Sequence, residues 1–273
     1  MIKRILKNPQ AMVGLALIAI TLLAAVFAPW IVPNNPDVVS LTQKFKAPST
    51  VHPLGTDQLG RCEFSRLVYG ARYSLGMALP ILVILGVIGL TLGCACAGIG
   101  GVFDRVVTII SDIFIAFPAL TVVAAIIGAW GNGIENIVLS IVISTWAWFT
   151  RMVRAYAVME MGKEYILGAR IAGAGTVRII FRHVLPNIMP QYLIYASTGV
   201  ASAILTVSGF SFLGLGLPAG TPEWGAMLSE ARASLYSHPE LLLYPGLCIL
   251  ATAAGYNLFG EALRDILHGG STR

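Results

Sequence analysis

Apolar residues fall along this chain in six long runs. Each is near the roughly 20 residues that cross a hydrocarbon layer, and polar stretches rich in Gly and Pro lie between them. The first run, Ala11 to Val32, follows Lys3, Arg4 and Lys7 and is closed by Pro33 and Pro36. It is longer than the apolar core of a secretory signal and lacks a clear Ala-x-Ala site, so it reads as an uncleaved anchor. A polar connection over 34–50 leads to a Gly-punctuated segment, His52 to Leu75. Arg61, Arg66 and Arg72 predict that part of it is a surface amphipathic helix held at the headgroups. The next runs are Met77 to Gly100, Val106 to Trp130, and Ile137 to Thr150 with a further turn to Arg154. The last two are Ile188 to Leu217 and Leu241 to Leu263. Between them Pro218, Pro222 and several Gly break Gly209 to Arg232 into a partly re-entrant segment, with Trp224 expected to anchor at the membrane interface.

One region is neither apolar enough to span nor polar enough to be disordered: Glu164 to Pro186, EYILGARIAGAGTVRIIFRHVLP. It predicts a short helical hairpin. Ala169, Ala172 and Gly173 put small side chains on one face of its first helix, open to close approach by another surface. Gly173 and Gly175 mark the turn, Thr176 is the expected N-cap, and Val177 to Leu185 form the second helix, which Pro186 closes. Arg170, Arg178 and Arg182 give it a basic rim.

Composition turns this pattern into a class. Of 273 residues, 56% are hydrophobic and 11% charged, against about a quarter charged in soluble domains, so the chain is an all-α, polytopic integral membrane protein. Its net charge of +5 comes from basic residues at helix ends, with no basic stripe interleaved with aromatics, which excludes a nucleic-acid partner. Six spans with the amino terminus inside put most Lys and Arg in the cytoplasm, including Lys3, Arg4, Arg151, Arg154, the hairpin arginines and Arg273. Both termini are then cytoplasmic.

Little in the chain has the look of catalysis. Gly162 and Lys163 precede Glu164 without a phosphate-cradling loop, so no ATP site is expected, and there is neither a His-Glu-x-x-His helix nor a Gly-x-Ser-x-Gly elbow. Asp112, about two turns into the third span, is either a contact on a transport path or with another subunit, or an inward Asp paired with an arginine. Cys94 and Cys96 point to different faces of a helix and His52 and His238 stand alone, so no metal site is expected. Cys62, Cys94, Cys96 and Cys248 form no disulfide framework.

Three stretches carry a resemblance. The hairpin, with Ala169, Gly173, Leu185 and Pro186 at matching positions and Leu167, Gly168 and His183 departing from the pattern, resembles the ATPase-coupling segment of ABC importer permeases. The run HPLGTDQLGRCEFSR is similar to the outer-face signature of their peptide/opine/nickel branch at Leu54, Gly55, Thr56, Asp57, Gly60, Arg61, Ser65 and Arg66, with Cys62 where that branch has Asp. SFLGLG and EWGAML, containing Trp224, resemble a second signature of the same branch. The resemblance implies a type I ABC importer permease fold, one domain with a core of about 73–265 and a coupling hairpin at about 162–186, in a bacterial inner membrane. It implies coupling roles for Glu164, Gly168, Ala169, Arg170, Gly173, Leu185 and Pro186. It also implies a second homologous permease, two ATPase subunits that use the ATP, an extracytoplasmic substrate-binding protein and surrounding membrane lipid, with no cofactor on this chain. Peptide-type members tend to carry an acid at the position of Val207, so the branch resemblance leans to nickel or a metal chelate, with di- or oligopeptides as the alternative. A stand-alone ion channel or proton-coupled carrier is the rival outside the class.

Overall fold

The computed structural model describes residues 5–268; Lys3, Arg4 and Arg273 lie outside them. Among the described residues the regular secondary structure is helical, joined by loops and turns, with one isolated bridge between Thr56 and Cys62. The long helices are α1 (Pro9–Ile31), α2 (Glu63–Ile99), α5 (Ile134–Met161), α7 (Thr176–Phe212) and α9 (Glu240–His268). All five are long and apolar enough to cross a membrane. The shorter ones are α3 (Gly101–Ala116), α4 (Ala119–Trp130), α6 (Glu164–Ile171) and α8 (Trp224–Ala231).

The third apolar run is not a single helix. α3 and α4 meet at an 85° bend over Phe117 and Pro118, because Pro118 forces Phe117 into extended geometry and removes the amide that would continue the ladder. The hairpin also departs from expectation. Pro186 does not end a helix: α7 runs unbroken from Thr176 to Phe212, passing through a π-turn at Ile180–Val184 that takes up the proline near the start of the following α-helical stretch. Gly175, not Thr176, caps it, with no side-chain hydrogen bond.

Helices α2 and α7 are each 37 residues, about 55 Å at 1.5 Å per residue, well beyond the roughly 30 Å of a hydrocarbon core. Their starts lie at opposite ends of the molecule, the α7 start packing by Gly98 near the end of α2. At one end the start of α2 meets α8 and the 209–223 segment; at the other the start of α7 packs with α6 and the end of α5. The buried apolar residues follow suit. A large cluster joins α2, α5, α7 and α8 around Ile81, Ile141, Ile204 and Met227, and a smaller one joins α2, α5, α6 and α7 around Val153, Ile166, Ile179 and Ile188. The first helix closes on the last. A Cβ on Gly14 would sit 2.8 Å from the Phe259 amide nitrogen, and one on Gly255 would sit 2.8 Å from the Leu17 Cβ, so α1 and α9 touch backbone to backbone.

Candidate functional site

Two constellations occupy these two ends. The first is a knot of charges at the start of α2. Asp57 folds its own loop, its Oδ1 accepting from the amides of Leu59 (2.8 Å) and Arg61 (2.9 Å). Gly60, at φ +73°, lies so close to the next loop that a Cβ would fall 1.9 Å from the Ser40 carbonyl oxygen. Thr56 accepts from the Lys46 amide at 2.8 Å and donates to the Gln43 carbonyl. Gly55 and Leu54 complete the turn, Gly55 at φ +79° and Leu54 packed against the large core.

Arg61 and Arg66 then reach across to the segment before α9. Arg61 Nε donates to Asp57 Oδ2 at 2.6 Å and its Nη2 to Glu230 Oε2; Arg66 donates to Glu230 Oε2 and to the Gly220 carbonyl, each at 3.0 Å. Glu230 Oε1 accepts from the Gly220 amide at 2.9 Å. Beneath lies Glu223, wholly buried, accepting from Ser74 (2.8 Å), Ser208 (3.3 Å) and the Ala226 amide (2.9 Å). Trp224 donates from its indole to the Leu67 carbonyl at 3.0 Å and presses on Gly70, where a Cβ would lie 2.5 Å from its Cδ1.

This corrects two expectations. Arg61 and Arg66 are 2% and 1% exposed and hold no headgroup, although Arg72 is exposed; Trp224, at 2%, is a core residue rather than an interfacial anchor. The physical reason is the same in both cases. The carboxylates of Asp57 and Glu230 and the carbonyls of Gly220 and Leu67 give these polar side chains partners inside, so burial no longer strands them. The two signature stretches, about 150 residues apart in sequence, are therefore one structure. Glu63, Glu223 and Glu230 were not singled out in the sequence, where nothing marks an acid as the mate of a distant arginine; Glu63, also buried, has an Oε1 with no hydrogen-bond partner.

The second constellation is the hairpin. Gly173, at φ +85°, makes the turn, with its amide donating to the Arg170 carbonyl at 2.9 Å and that of Ala174 to the Ala169 carbonyl at 3.0 Å. Ile166 and Ile179 anchor it to the small core. The small-residue face is split: Ala169 packs inward against that core, whereas Gly168, Ala172 and Gly173 are exposed. Glu164, Arg170 and Pro186 are exposed and Leu185 is half-buried. What the sequence reading missed is an outward apolar surface of Leu167, Ile171, Val177 and Phe181, 60 to 80% exposed beside Arg170, Arg178 and Arg182. Its signal was present as two i, i+4 pairs out of phase with Ile166. Where α5 meets α6, Glu160 accepts from Lys163 (2.7 Å) and from the Tyr165 hydroxyl. The bond to Glu160 raises the Lys163 ammonium above its usual range; desolvation and then the same carboxylate push the Tyr165 phenol up.

Asp112 pairs with Arg151 at 2.8 Å between α3 and α5, but both side chains are about half exposed, so it does not point inward. Nearer the α3 start, Arg154 grips Asp104 with two bonds. Among the described residues no group of three or more His, Cys, Asp and Glu side chains is placed to hold a metal. His52 bonds Gln43 at 2.8 Å, and His238 pairs with Glu240 at 2.9 Å while stacking on Phe45. Cys94 and Cys96 are buried and unpaired by disulfide. Between α2, α5 and α7 lies a cavity of about 120 Å³, lined by Thr145, Tyr195, Thr198, Ser202 and Thr206 among apolar residues, with no charge.

The family model for the binding-protein-dependent transport system inner membrane component matches residues 89–270, and that for the N-terminal TM domain of oligopeptide transport permease C matches 1–48. The chain is 38% identical over 257 residues to the nickel transport system permease protein NikC of Escherichia coli strain K12, covering 93% of each chain. It is 36% identical to the dipeptide transport system permease protein DppC of Alkalihalophilus pseudofirmus, covering 97% of this chain and 87% of that one. To the metal-staphylopine import system permease protein CntC of Staphylococcus aureus strain NCTC 8325 it is 34% identical, covering 96% and 91%.

Proposed function

Because this chain belongs to the family of binding-protein-dependent transport system inner membrane components and is a permease subunit of an ABC importer, we propose that it imports nickel or a metal chelate. Similarity alone does not choose the substrate, since relatives named for nickel, dipeptide and metal-staphylopine transport lie within 34 to 38% identity. The observation that carries the nickel reading is Val207. Peptide-type members tend to have an acid at this position; here it is an apolar side chain with no exposed surface, packed in the large core. The uncharged, hydroxyl-lined cavity is compatible with weak, releasing contacts along a path, and weak sites are what conduction favours.

In this reading the termini and the hairpin are cytoplasmic, in a bacterial inner membrane, and the whole chain is one permease domain. The exposed apolar surface on the hairpin, rimmed by arginines, receives an ATPase subunit, with Gly168 and Gly173 allowing close approach. A second homologous permease completes the path, two ATPases use the ATP, and an extracytoplasmic binding protein delivers the ligand, while this chain holds no cofactor. Deleting the gene should abolish high-affinity accumulation of radioactive nickel. Unchanged nickel uptake together with lost growth on a dipeptide as source of a required amino acid would move the assignment to peptides.

A further inference from the structure

The hairpin touches the rest of the molecule through greasy contacts, which slide, and through one polar junction, which does not. At that junction the Tyr165 hydroxyl uses both its capacities. It donates to Glu160, the penultimate residue of the α5 helix, and accepts from the Asn187 side-chain Nδ2 at 2.8 Å, one residue beyond Pro186 on α7. Glu160 is 6% exposed and is itself fixed by Lys163 at 2.7 Å. Tyr165, on the first turn of α6, is thus tied to α5 on one side and α7 on the other.

The π-turn at Ile180–Val184 bears on this. It inserts one residue into the helical repeat and so rotates everything after it, Asn187 included, by about 100° relative to Thr176–Ile179. Ile179 faces the small core before the turn and Val184 and Ile188 face it after. With the extra residue, Asn187 comes round to α6 while the apolar residues on both sides keep their core face.

We propose that Tyr165 is the positioning residue that makes the hairpin move as one body with both α5 and α7, so that a push on α6 is shared between two spans. This rests on the importer reading above. Van der Waals contacts between Ile166, Ile179 and Ile188 resist separation but offer little against rotation of α6 about its own axis, whereas two hydrogen bonds diverging from one hydroxyl resist it directionally. Tyr165→Phe removes both bonds and leaves in place the ring, which lies tilted beside His183 with centroids 6.0 Å apart.

The test uses the complete importer in proteoliposomes with its binding protein, with radioactive nickel and a radiolabelled dipeptide as the two probes. Tyr165→Phe should assemble and hydrolyse ATP at the wild-type basal rate but move severalfold less probe per ATP. Asn187→Ala should do the same, and the double variant should be no worse than either single one, because both break one chain of bonds. Glu160→Gln, which keeps an acceptor for the phenol, should retain wild-type stoichiometry. Wild-type probe-to-ATP stoichiometry in Tyr165→Phe overturns the relay while leaving the importer reading intact. A lower yield of complex with normal stoichiometry in what assembles also overturns it, since the role is then only structural. If the wild-type importer moves neither probe on ATP, the free-nickel and dipeptide assignments fail, and the relay is then read from the stimulation of ATP hydrolysis by the binding protein, which Tyr165→Phe should cut severalfold; unchanged stimulation overturns the relay.

Discussion

The starts of α2 and α7 are alike in length and opposite in character. Each begins a 37-residue helix, and the two starts lie at opposite ends of the molecule. The α2 end is inward-looking. Asp57, Arg61, Glu63, Arg66 and Glu223 are all 3% exposed or less, and most of their polar atoms are used within the chain. The α7 end is outward-looking, with Leu167, Ile171, Val177 and Phe181 bare and one polar junction holding the hairpin. The better-matched signature is thus the one committed to holding the chain together, while the more degenerate one faces outward. A motif records constraint, and constraint comes as readily from self-contact as from a partner.

That contrast breaks most sharply at Arg66. Arg66→Ala leaves Glu230 with Arg61 and the Gly220 amide but no second guanidinium and frees the Gly220 carbonyl, and removing one partner of a buried pair costs about 3–5 kcal/mol. We expect little folded protein in detergent, read as a collapse of the monodisperse peak in size-exclusion chromatography; a wild-type peak would show the knot to be dispensable. Gly173→Val comes next, forcing a β-branched residue to φ +85° at about 1–3 kcal/mol while its Cβ meets nothing within 4 Å. Membrane insertion should survive, and stimulation of ATP hydrolysis by binding protein and substrate should be lost; normal stimulation would remove the hairpin from coupling. Asp112→Asn should do less, because its pair with Arg151 is half exposed and the amide still accepts. A modest drop in assembled complex with intact transport fits a structural pair, and intact assembly with impaired transport would put Asp112 on the path. Smallest are His52→Ala, His238→Ala, Cys94→Ala and Cys96→Ala, each expected to leave most nickel uptake in place; loss in any one would reveal a metal contact.

Much of the architecture was legible in the sequence because a membrane span declares itself by length and apolarity alone. Ala11 to Val32 became Pro9–Ile31 nearly unchanged, and Leu241 to Leu263 lies inside Glu240–His268. The misreadings share a cause, which is that run length says nothing about direction. Val106 to Trp130 is long enough to span, and only Pro118 hinted at the 85° bend. Glu63 to Ser74 is polar enough to lie at a surface, yet α2 begins there, since the acids and carbonyls that satisfy Arg66 and Ser74 come from about 150 residues downstream. At Pro186 the local rule for ending a helix was sound, but a π-turn offered the chain a way around it. In the hairpin, Gly173 could be placed from residue type alone, whereas the bond from Asn187 to Tyr165 depends on that rotation and could not.

The backbone contact of Gly14 with Gly255 sets an order on how the molecule is made. The surface that receives α1 belongs to α9, and ribosomes add about 5–20 residues per second, so the first span waits in the bilayer for tens of seconds before its seat exists. Biogenesis has a clasp that only the finished polypeptide can fasten. A nascent chain arrested before Glu240 should leave α1 free to crosslink to lipid or insertion machinery at Ile18→Cys, a position 8% exposed in the finished fold and without the backbone clash that a side chain at Gly14 would bring, and release of the full-length chain should abolish that crosslink.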